Sequence, residues 1–297
     1  MITIVLATYN REDTLPKSLR SVLKQTHQDI EVLVVDDGST DGTEQLMKAI
    51  TDPRVRYIKL SNNSGASMVR NRGIQEARGD YILVWDSDDE LYPYALEKII
   101  STFKQQPTVS IVSAPARILI GGKEKTYPHF STGEVMLADI LCKKLPSNEK
   151  VRVARTNVMK QISYKSRNID FLVNVELIER GKWYHLDEML ADVHNSPNEG
   201  SLTSSRKKKN AQYAIERASH LVGFLERHGA YLKAISAPRY ADYCYGTAMG
   251  LLLAGDVKRA RCYAHDAAHY HIKMVPYWVL YILSCIPCGS RLLRALY

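Results

Sequence analysis

Tyr81 to Trp85 form an apolar run, and Asp86, Ser87, Asp88, Asp89 and Glu90 follow it directly. Four carboxylates this close repel one another, and unpaired charge in a protein interior is costly. A cation relieves both problems. Asp86-Ser87-Asp88 at the end of a strand offers hard oxygen donors suited to Mg2+ or Mn2+, ions that keep several waters and take phosphate oxygens as further ligands. Two carboxylates alone hold such an ion weakly, so a phosphate-bearing substrate would complete the site. Other readings fit less well. An EF-hand loop starting at Asp86 has Leu91 where glycine is needed and follows a strand, and one starting at Asp37 has Lys48 where a bidentate Glu is needed. In a phospho-receiver domain no strand would precede "VLVVDDGS", and the proline would stand closer to the acceptor than Pro93 does. Acids capping the helix that starts near Pro93 would account for Asp89 or Glu90 but not for Asp86 and Asp88.

Elements that would carry these residues alternate over the first 120 positions. "ITIVLA", "EVLVV", "VRYIKL" and "YILVW" read as strands, and each ends in polar residues: Thr8 to Arg11, Asp36 to Thr43, Asn62 to Ser67 and Asp86 to Glu90. Between them lie helical patterns. Leu15, Leu19, Val22 and Leu23 share a face, with Pro16 in the first turn. Asp41 and Glu44 are spaced like a capping box for "DGTEQLMKAI". "SGASMVRNRGIQEARG" is a third helix with Gly79 at its C-terminal end, and "YPYALEKIISTFKQ" a fourth. Continuous apolar strands alternating with helices predict a mostly parallel sheet covered on both faces, with its ligand outside the carboxyl ends of the strands. Four polar clusters brought to one edge make that edge the expected site.

Later segments are less regular. "VSIVSAPARILIGG" reads as strand and turn, and "LPSNEKVRVARTNVM" has no clear period. "SRNIDFLVNVELIERGKW" is helical, with Phe171, Val175 and Ile178 on one face and Gly181 as the stop. "YHLDEMLADVHN" is expected to be a strand pair leading out of the fold. "SSRKKKN" reads as a basic linker, and "YGTAMGLLLAGDVKRARCYAHDAAHY" as a helix pair turning at Gly255 and Asp256 with no third copy, so no solenoid.

The ordered set "TIVLATYNR", "LRSVLKQTHQDIEVLVVDDGSTDGT", "NNSGASMVRNRGIQEARGDYILVWDSDDELYPYALE" and, more loosely, "NIDFLVNVELIERGKWYHLDEMLADVH" resembles the family 2 glycosyltransferases of the GT-A fold. The resemblance implies an α/β, Rossmann-like architecture with a helical C-terminal extension. It also implies a nucleotide-sugar donor, commonly a UDP-sugar, with Mn2+ or Mg2+ as cofactor and inversion at the anomeric carbon. Thr8 and Tyr9 would lie against the nucleotide, Asp37 would hydrogen-bond the base, and Arg70 would lie beside it. Asp86 and Ser87 would take the ribose or sugar side, Asp88 would ligate the metal, and His194 would lie near the metal or diphosphate. The general base commonly comes from a Glu-Asp pair opening a helix. Here the pair is Ile169-Asp170, which leaves Asp170 as the candidate, with Glu176 or Asp187 in reserve. The acceptor would be a glycan or lipid-linked saccharide in cell-surface polysaccharide synthesis. Two alternatives stand beside this reading: a catalytically silent sugar-nucleotide-binding subunit, and a sugar-phosphate nucleotidyltransferase, which would want a glycine-rich basic loop where "LATYNRED" stands.

The whole chain bounds these expectations. Its 297 residues suffice for a GT-A domain over 1–203, with donor and acceptor halves at 1–104 and 105–203, and a basic helical region over 204–297. Five cysteines without framework spacing fit a reducing compartment, and the lone Cys285-x-x-Cys288 lacks further zinc ligands. The N-terminus reads as a first strand rather than a signal peptide, and no apolar run has the roughly 18 residues of a membrane span. A cytoplasmic enzyme follows, with no nucleic-acid partner. From Ser204 onward there are 14 Lys/Arg against 5 Asp/Glu, whereas the first 203 residues are nearly balanced. The tail "VPYWVLYILSCIPCGSRLLRALY" is either the last core helix or a contact with a membrane surface, where its Trp and Tyr residues and nearby cations would be at home.

Overall fold

The computed structural model describes residues 1–145, 149–165, 170–195, 211–286 and 288–296. The chain forms two compact units, Met1–Pro197 and Asn198–Tyr297. The first opens with the alternation β1 (Ile2–Thr8), α1 (Leu15–Leu23), β2 (Ile30–Asp36), α2 (Thr43–Lys48), β3 (Val55–Lys59), α3 (Ala66–Glu76), β4 (Tyr81–Asp86). Then come β5 (Glu90–Leu91), α4 (Ala95–Gln105), β6 (Val109–Pro115), β7 (Arg117–Ile120), β8 (Lys123–Lys125) and β9 (Gly133–Val135). It closes with α5 (Leu137–Leu141), β10 (Glu149–Arg155), α6 (Thr156–Met159), α7 (Asp170–Arg180), β11 (Lys182–His185) and β12 (Ala191–Asn195).

Eight strands make the main sheet in the order β3-β2-β1-β4-β10-β6-β11-β9. The first four are parallel, and β10 enters antiparallel between β4 and β6. In register, Thr8 stands beside Asp36 and Ala7 beside Asp86, so three strand ends reach one edge together. One face packs Ile4, Leu6, Val32, Val34, Leu83 and Trp85 against α1 and α4. The other packs Leu33 and Val35 against Val69 of α3. At Gly73 the helix comes so close to β1 that a Cβ would collide with Val5 Cγ1.

The second unit is α8 (Ala211–Ile235), α9 (Ala237–Ala254), α10 (Val257–Tyr270), α11 (Val275–Cys285) and α12 (Gly289–Leu296). The turn between α9 and α10 falls at the expected residues. Gly255 takes a left-handed φ of 91° that a side chain would oppose, and Asp256 caps α10 by accepting from the Arg259 amide at 3.1 Å. The tail is half core: α11 buries Tyr277, Leu280 and Ser284, and the Tyr277 hydroxyl donates to Asp242 at 2.6 Å.

Several local expectations are corrected. The expected strand pair is two strands in different sheets: β11 joins the main sheet beside β6, and β12 joins a small sheet ordered β5-β12-β7-β8. Asp41 and Glu44 make no capping box. The N-cap is Gly42, Asp41 bonds the amides of Glu12 and Thr43, and Glu44 is drawn to Lys48 and Lys59. Gly79 lies beyond the end of α3, where its bare Cα lets the chain pass the backbone of Met1 and Thr3. Val173, Val175 and Leu177 are the buried residues of α7, while Phe171 and Ile178 are half-buried, because the helix is enclosed on more than one side. The basic linker lies outside the described residues.

Candidate functional site

The acidic stretch sits where β4 leaves the sheet, and the chain's own cations meet most of its charge. Arg70 of α3 donates to Asp86 at 2.6 Å, Arg11 lies 3.4 Å from Asp88, and Lys17 of α1 is 2.6 Å from Glu90. The Asp86 side chain keeps half its surface accessible, yet surrounding atoms crowd its carboxylate. That desolvation pushes its pKa up. The Arg70 guanidinium, aided by Lys150 and Arg11, overcomes it and holds the carboxyl below the usual range. Asp88 goes the other way: burial and then the neighbouring Asp86 charge raise it. Asp89 is buried, and desolvation, then Asp86 and Asp88, push it up to about 8.

Neither Asp89 nor Glu90 caps α4, whose N-cap is Tyr94 and carries no side-chain bond. They hold the small sheet to the site instead. Asp89 accepts from the His194 amide at 3.0 Å, and Trp85 Nε1 donates to the Asp89 carbonyl at 3.2 Å. His194 Nε2 lies 2.8 Å from the same Glu90 oxygen that Lys17 contacts. Below this chain of contacts, Arg117 donates twice to Asp192, at 2.8 and 2.7 Å, and the Tyr92 hydroxyl donates to Asp192 at 2.7 Å.

The neighbouring strand ends are stitched together. Asn10, in the left-handed region at φ 50°, accepts from the Thr40 amide at 2.9 Å, and its own amide donates to Ser39. Asp36, fully buried, accepts from the Ser39 amide and hydroxyl and from the Tyr57 hydroxyl. Both oxygens of Asp37 are engaged, by the Ser64 amide and hydroxyl at 2.7 and 2.8 Å and by the Gly65 amide at 2.8 Å. Asp37 therefore anchors the turn into α3, and any base it reads must share those oxygens. Tyr9 beside it is exposed, whereas Thr8 is buried with its Oγ1 lacking a hydrogen-bond partner among the described residues. Ser87 is also buried. Segment 164–165 docks on α3, where Asn71 exchanges two bonds of 2.8 Å with the backbone of Tyr164.

Of the base candidates, Asp170 is the first residue of α7, and Ile169 lies outside the described residues. Glu176 is half-buried on the same helix, and Asp187 follows β11 and contacts His129 at 2.8 Å. Sequence reasoning missed Lys150 and Lys17. Lys150 acts on Asp86 and Asp89 because β10 runs antiparallel and so begins at the site edge, a pairing no local pattern announces. Lys17 had a usable signal, a charge on the first turn of an otherwise apolar-faced helix.

Metal fit can be judged from the donor set. Among the described residues no three His, Cys, Asp or Glu side chains converge as a ready metal cage. Asp88 nonetheless fits a hard cation: its oxygens are ligands of the right type, and burial first, then the neighbouring Asp86 charge, disfavour its carboxylate in the absence of a cation. Such a site is completed by substrate oxygens rather than by the protein alone.

The family model for glycosyl transferase family 2 matches residues 3–165, more than half the chain. ExoO, a succinoglycan biosynthesis protein of Rhizobium meliloti (strain 1021), is 48% identical over 99 residues, 33% of this chain and 28% of ExoO. Among solved structures, residues 1–349 of S. aureus TarS in complex with UDP-GlcNAc share the fold at a TM-score of 0.67 and 19% identity, over 95% of this chain and 90% of that one. The mannosyltransferase PcManGT from Pyrobaculum calidifontis, in complex with GDP-Man and Mn2+, matches at 0.54 and 14% identity, over 98% and 86%.

Proposed function

Because this chain belongs to glycosyl transferase family 2, we propose that it is an inverting, metal-dependent enzyme that moves a hexosyl or N-acetylhexosaminyl group from a UDP-sugar to a glycan or lipid-linked saccharide. The work would be assembly of a cell-surface polysaccharide at the cytoplasmic face of a membrane. The observation that carries the reading is the acidic end of β4 packed between Arg70 and Arg11, one strand from the exposed Tyr9. That ExoO is a succinoglycan biosynthesis protein, and that TarS was solved with UDP-GlcNAc and PcManGT with Mn2+, supports the polysaccharide, the donor and the metal in turn.

Each residue then has a task. Tyr9 offers its ring to the base, beside Thr8, while Asp37 keeps the turn into α3 in place and presents an edge acceptor. Arg70 fixes the Asp86 carboxylate, so Asp86 and Ser87 meet the ribose or sugar in one orientation. Asp88 would hold Mg2+ or Mn2+, with His194 as a nitrogen donor in reach of the same loop. Bound there, the ion would offset the charge gathering on the diphosphate. Asp170 removes the proton from the acceptor hydroxyl. The acceptor oxygen forms its bond to the anomeric carbon from the face opposite the leaving group, the bond to the diphosphate breaks, and the nucleoside diphosphate departs.

The test is Asp88→Ala. The variant should melt like the parent, lose Mn2+-dependent UDP affinity by calorimetry and lose most turnover across a panel of UDP-sugars. A variant that binds Mn2+ and UDP as the parent does removes Asp88 from the site. Parent protein that binds UDP-sugars but neither transfers nor hydrolyses them would instead mark a silent binding subunit.

A further inference from the structure

Helix α11 is buried on one side only. Tyr277, Leu280 and Ser284 face inward, while Val275 is 70% exposed, Trp278 38%, Val279 49% and Ile282 58%. Spacings of three, four and seven residues place these four on one outward stripe. Ile272, 68% exposed, extends the apolar surface into the preceding turn. A contiguous water-facing stripe of Val, Trp and Ile is the kind of surface that marks an interaction or membrane site.

Two further observations identify its chemistry. Two ring polar groups of α11 are satisfied inside the unit: Trp278 Nε1 donates to the Ile272 carbonyl at 3.0 Å, and the Tyr277 hydroxyl donates to Asp242. The indole can therefore enter an apolar medium without stranding its donor, a cost that would otherwise oppose it. Cations also frame the stripe in sequence. Lys273 precedes α11 and the exposed Arg291 follows it, while α11 and α12 together contain no acidic residue. The chain from Ser204 onward carries 14 basic and 5 acidic residues. A helix whose outward face is apolar and carries a tryptophan, with cations before and after it, has the features of a membrane-surface contact. No helix among the described residues is long and apolar enough to cross a membrane, so the contact would be superficial.

We infer that the outward face of α11 seats the chain on an anionic lipid surface, with Val275, Trp278, Val279 and Ile282 entering the headgroup–acyl boundary and Lys273 and Arg291 meeting the lipid charge. This deepens the reading of a transferase working at a membrane and rests on it only for its purpose, because vesicle binding is measured without any sugar. The face also accounts for an otherwise costly exposure: Val275, Val279 and Ile282 each leave about half or more of their surface to water.

The full chain is sedimented with vesicles of phosphatidylcholine alone and of phosphatidylcholine mixed with phosphatidylglycerol, at low and high salt. Parent protein should pellet with the mixed vesicles and release at high salt. Val279→Asp/Ile282→Asp should reduce the bound-to-free ratio by tenfold or more, on the order of the loss expected for two buried apolar side chains. Lys273→Glu/Arg291→Glu should reduce it and flatten its salt dependence. Met136→Asp, at an exposed apolar site of the other unit, should bind like the parent. Unchanged thermal melts would show that the variants fold. Transfer to a water-soluble acceptor should be equal in all forms, so loss of transfer everywhere counts against the transferase reading and not against the lipid face. Parent protein that ignores mixed vesicles overturns the inference, as does an α11 variant that pellets like the parent. A parent dimer that Val279→Asp/Ile282→Asp converts to monomer, without vesicle binding by either, would assign the face to a second copy of this chain.

Discussion

Gly73→Ala sets helix propensity against tertiary packing on the helix that also carries Arg70 to the acidic loop. In an isolated helix alanine is better than glycine by about 1 kcal/mol. In α3 the new methyl would overlap Val5 Cγ1 and stand 3.3 Å from Val35 Cγ2. Val5 cannot retreat: it is fully buried, β-branched, and its strand is hydrogen-bonded to β2 and β4 on either side. The helix must lift instead. Overpacking of a core costs about 1–3 kcal/mol, and an overlap against a pinned side chain belongs in the upper part of that range. Subtracting the propensity gain leaves a net loss of about 1–2 kcal/mol. In a unit of the size of Met1–Pro197 that lowers Tm by about 2–8 °C. Arg70 lies one turn earlier on the same helix and reaches Asp86 at 2.6 Å, so lifting α3 should also weaken UDP binding. Thermal unfolding followed by circular dichroism, with calorimetric UDP titration, reads both effects. Val5→Ala/Gly73→Ala restores the space, and the pair should be less destabilised than the sum of its single changes by at least about 0.5 kcal/mol. A Gly73→Ala variant with a Tm at or above that of the parent would refute the reasoning, because propensity would then have gone unopposed.

Asp170→Asn should keep donor affinity and lose transfer by roughly a hundredfold or more, the size of a general-base contribution. Single-turnover transfer near the parent rate would move the role to Glu176 or Asp187. A pH effect should come from Glu31. Burial would raise its pKa, but the Thr3 hydroxyl at 2.7 Å, the Arg56 guanidinium and the Arg78 amide at 3.0 Å together hold it below the ordinary 4.5. A carboxyl depressed in the folded state contributes stability that is fully present above its unfolded pKa and lost as pH falls through the folded value. The Tm gap between parent and Glu31→Gln should therefore be widest near neutrality and narrow as pH drops below 4.5. A gap that stays constant through the acid range would show that Glu31 titrates alike in both states.

How far the sequence could be read depends on how local the determining contacts are. The β1–α1–β2–α2–β3–α3–β4 stretch was legible because parallel strands buried on both faces write continuous apolar runs, and each helix writes its own period. The polar strand ends followed from that alternation. Past residue 105 the fold depends on non-local pairing. Whether β10 runs up or down beside β4 is decided by partners far off in the chain, so Lys150 could not be placed at the site beforehand. The same is true of β11 and β12, whose adjacent sequence gave no reason to expect different sheets. Asp37 and Asp89 show a second limit. Their carboxylates are engaged by backbone amides of Ser64, Gly65 and His194, and a backbone amide looks the same under every residue name. The acidic stretch called for a cation on charge grounds alone, yet Arg70, Arg11 and Lys17 answer part of that demand from within the chain.

The small sheet has a consequence for anyone recombining enzymes of this type. In the antiparallel pairing of β5 with β12 Leu91 stands opposite Ala191 and Glu90 opposite Asp192, and the Tyr92 amide donates to the Leu190 carbonyl at 2.9 Å. The acidic loop is thus laced to chain made a hundred residues later. A chimera that joins residues 1–104 to the following segment of another such enzyme would carry Asp86 to Glu90 intact and still strip the loop of its lacing. Graft boundaries that respect the lacing must move residues 89–92 and 190–194 together, as one discontinuous cassette, with Arg117 travelling alongside to hold Asp192.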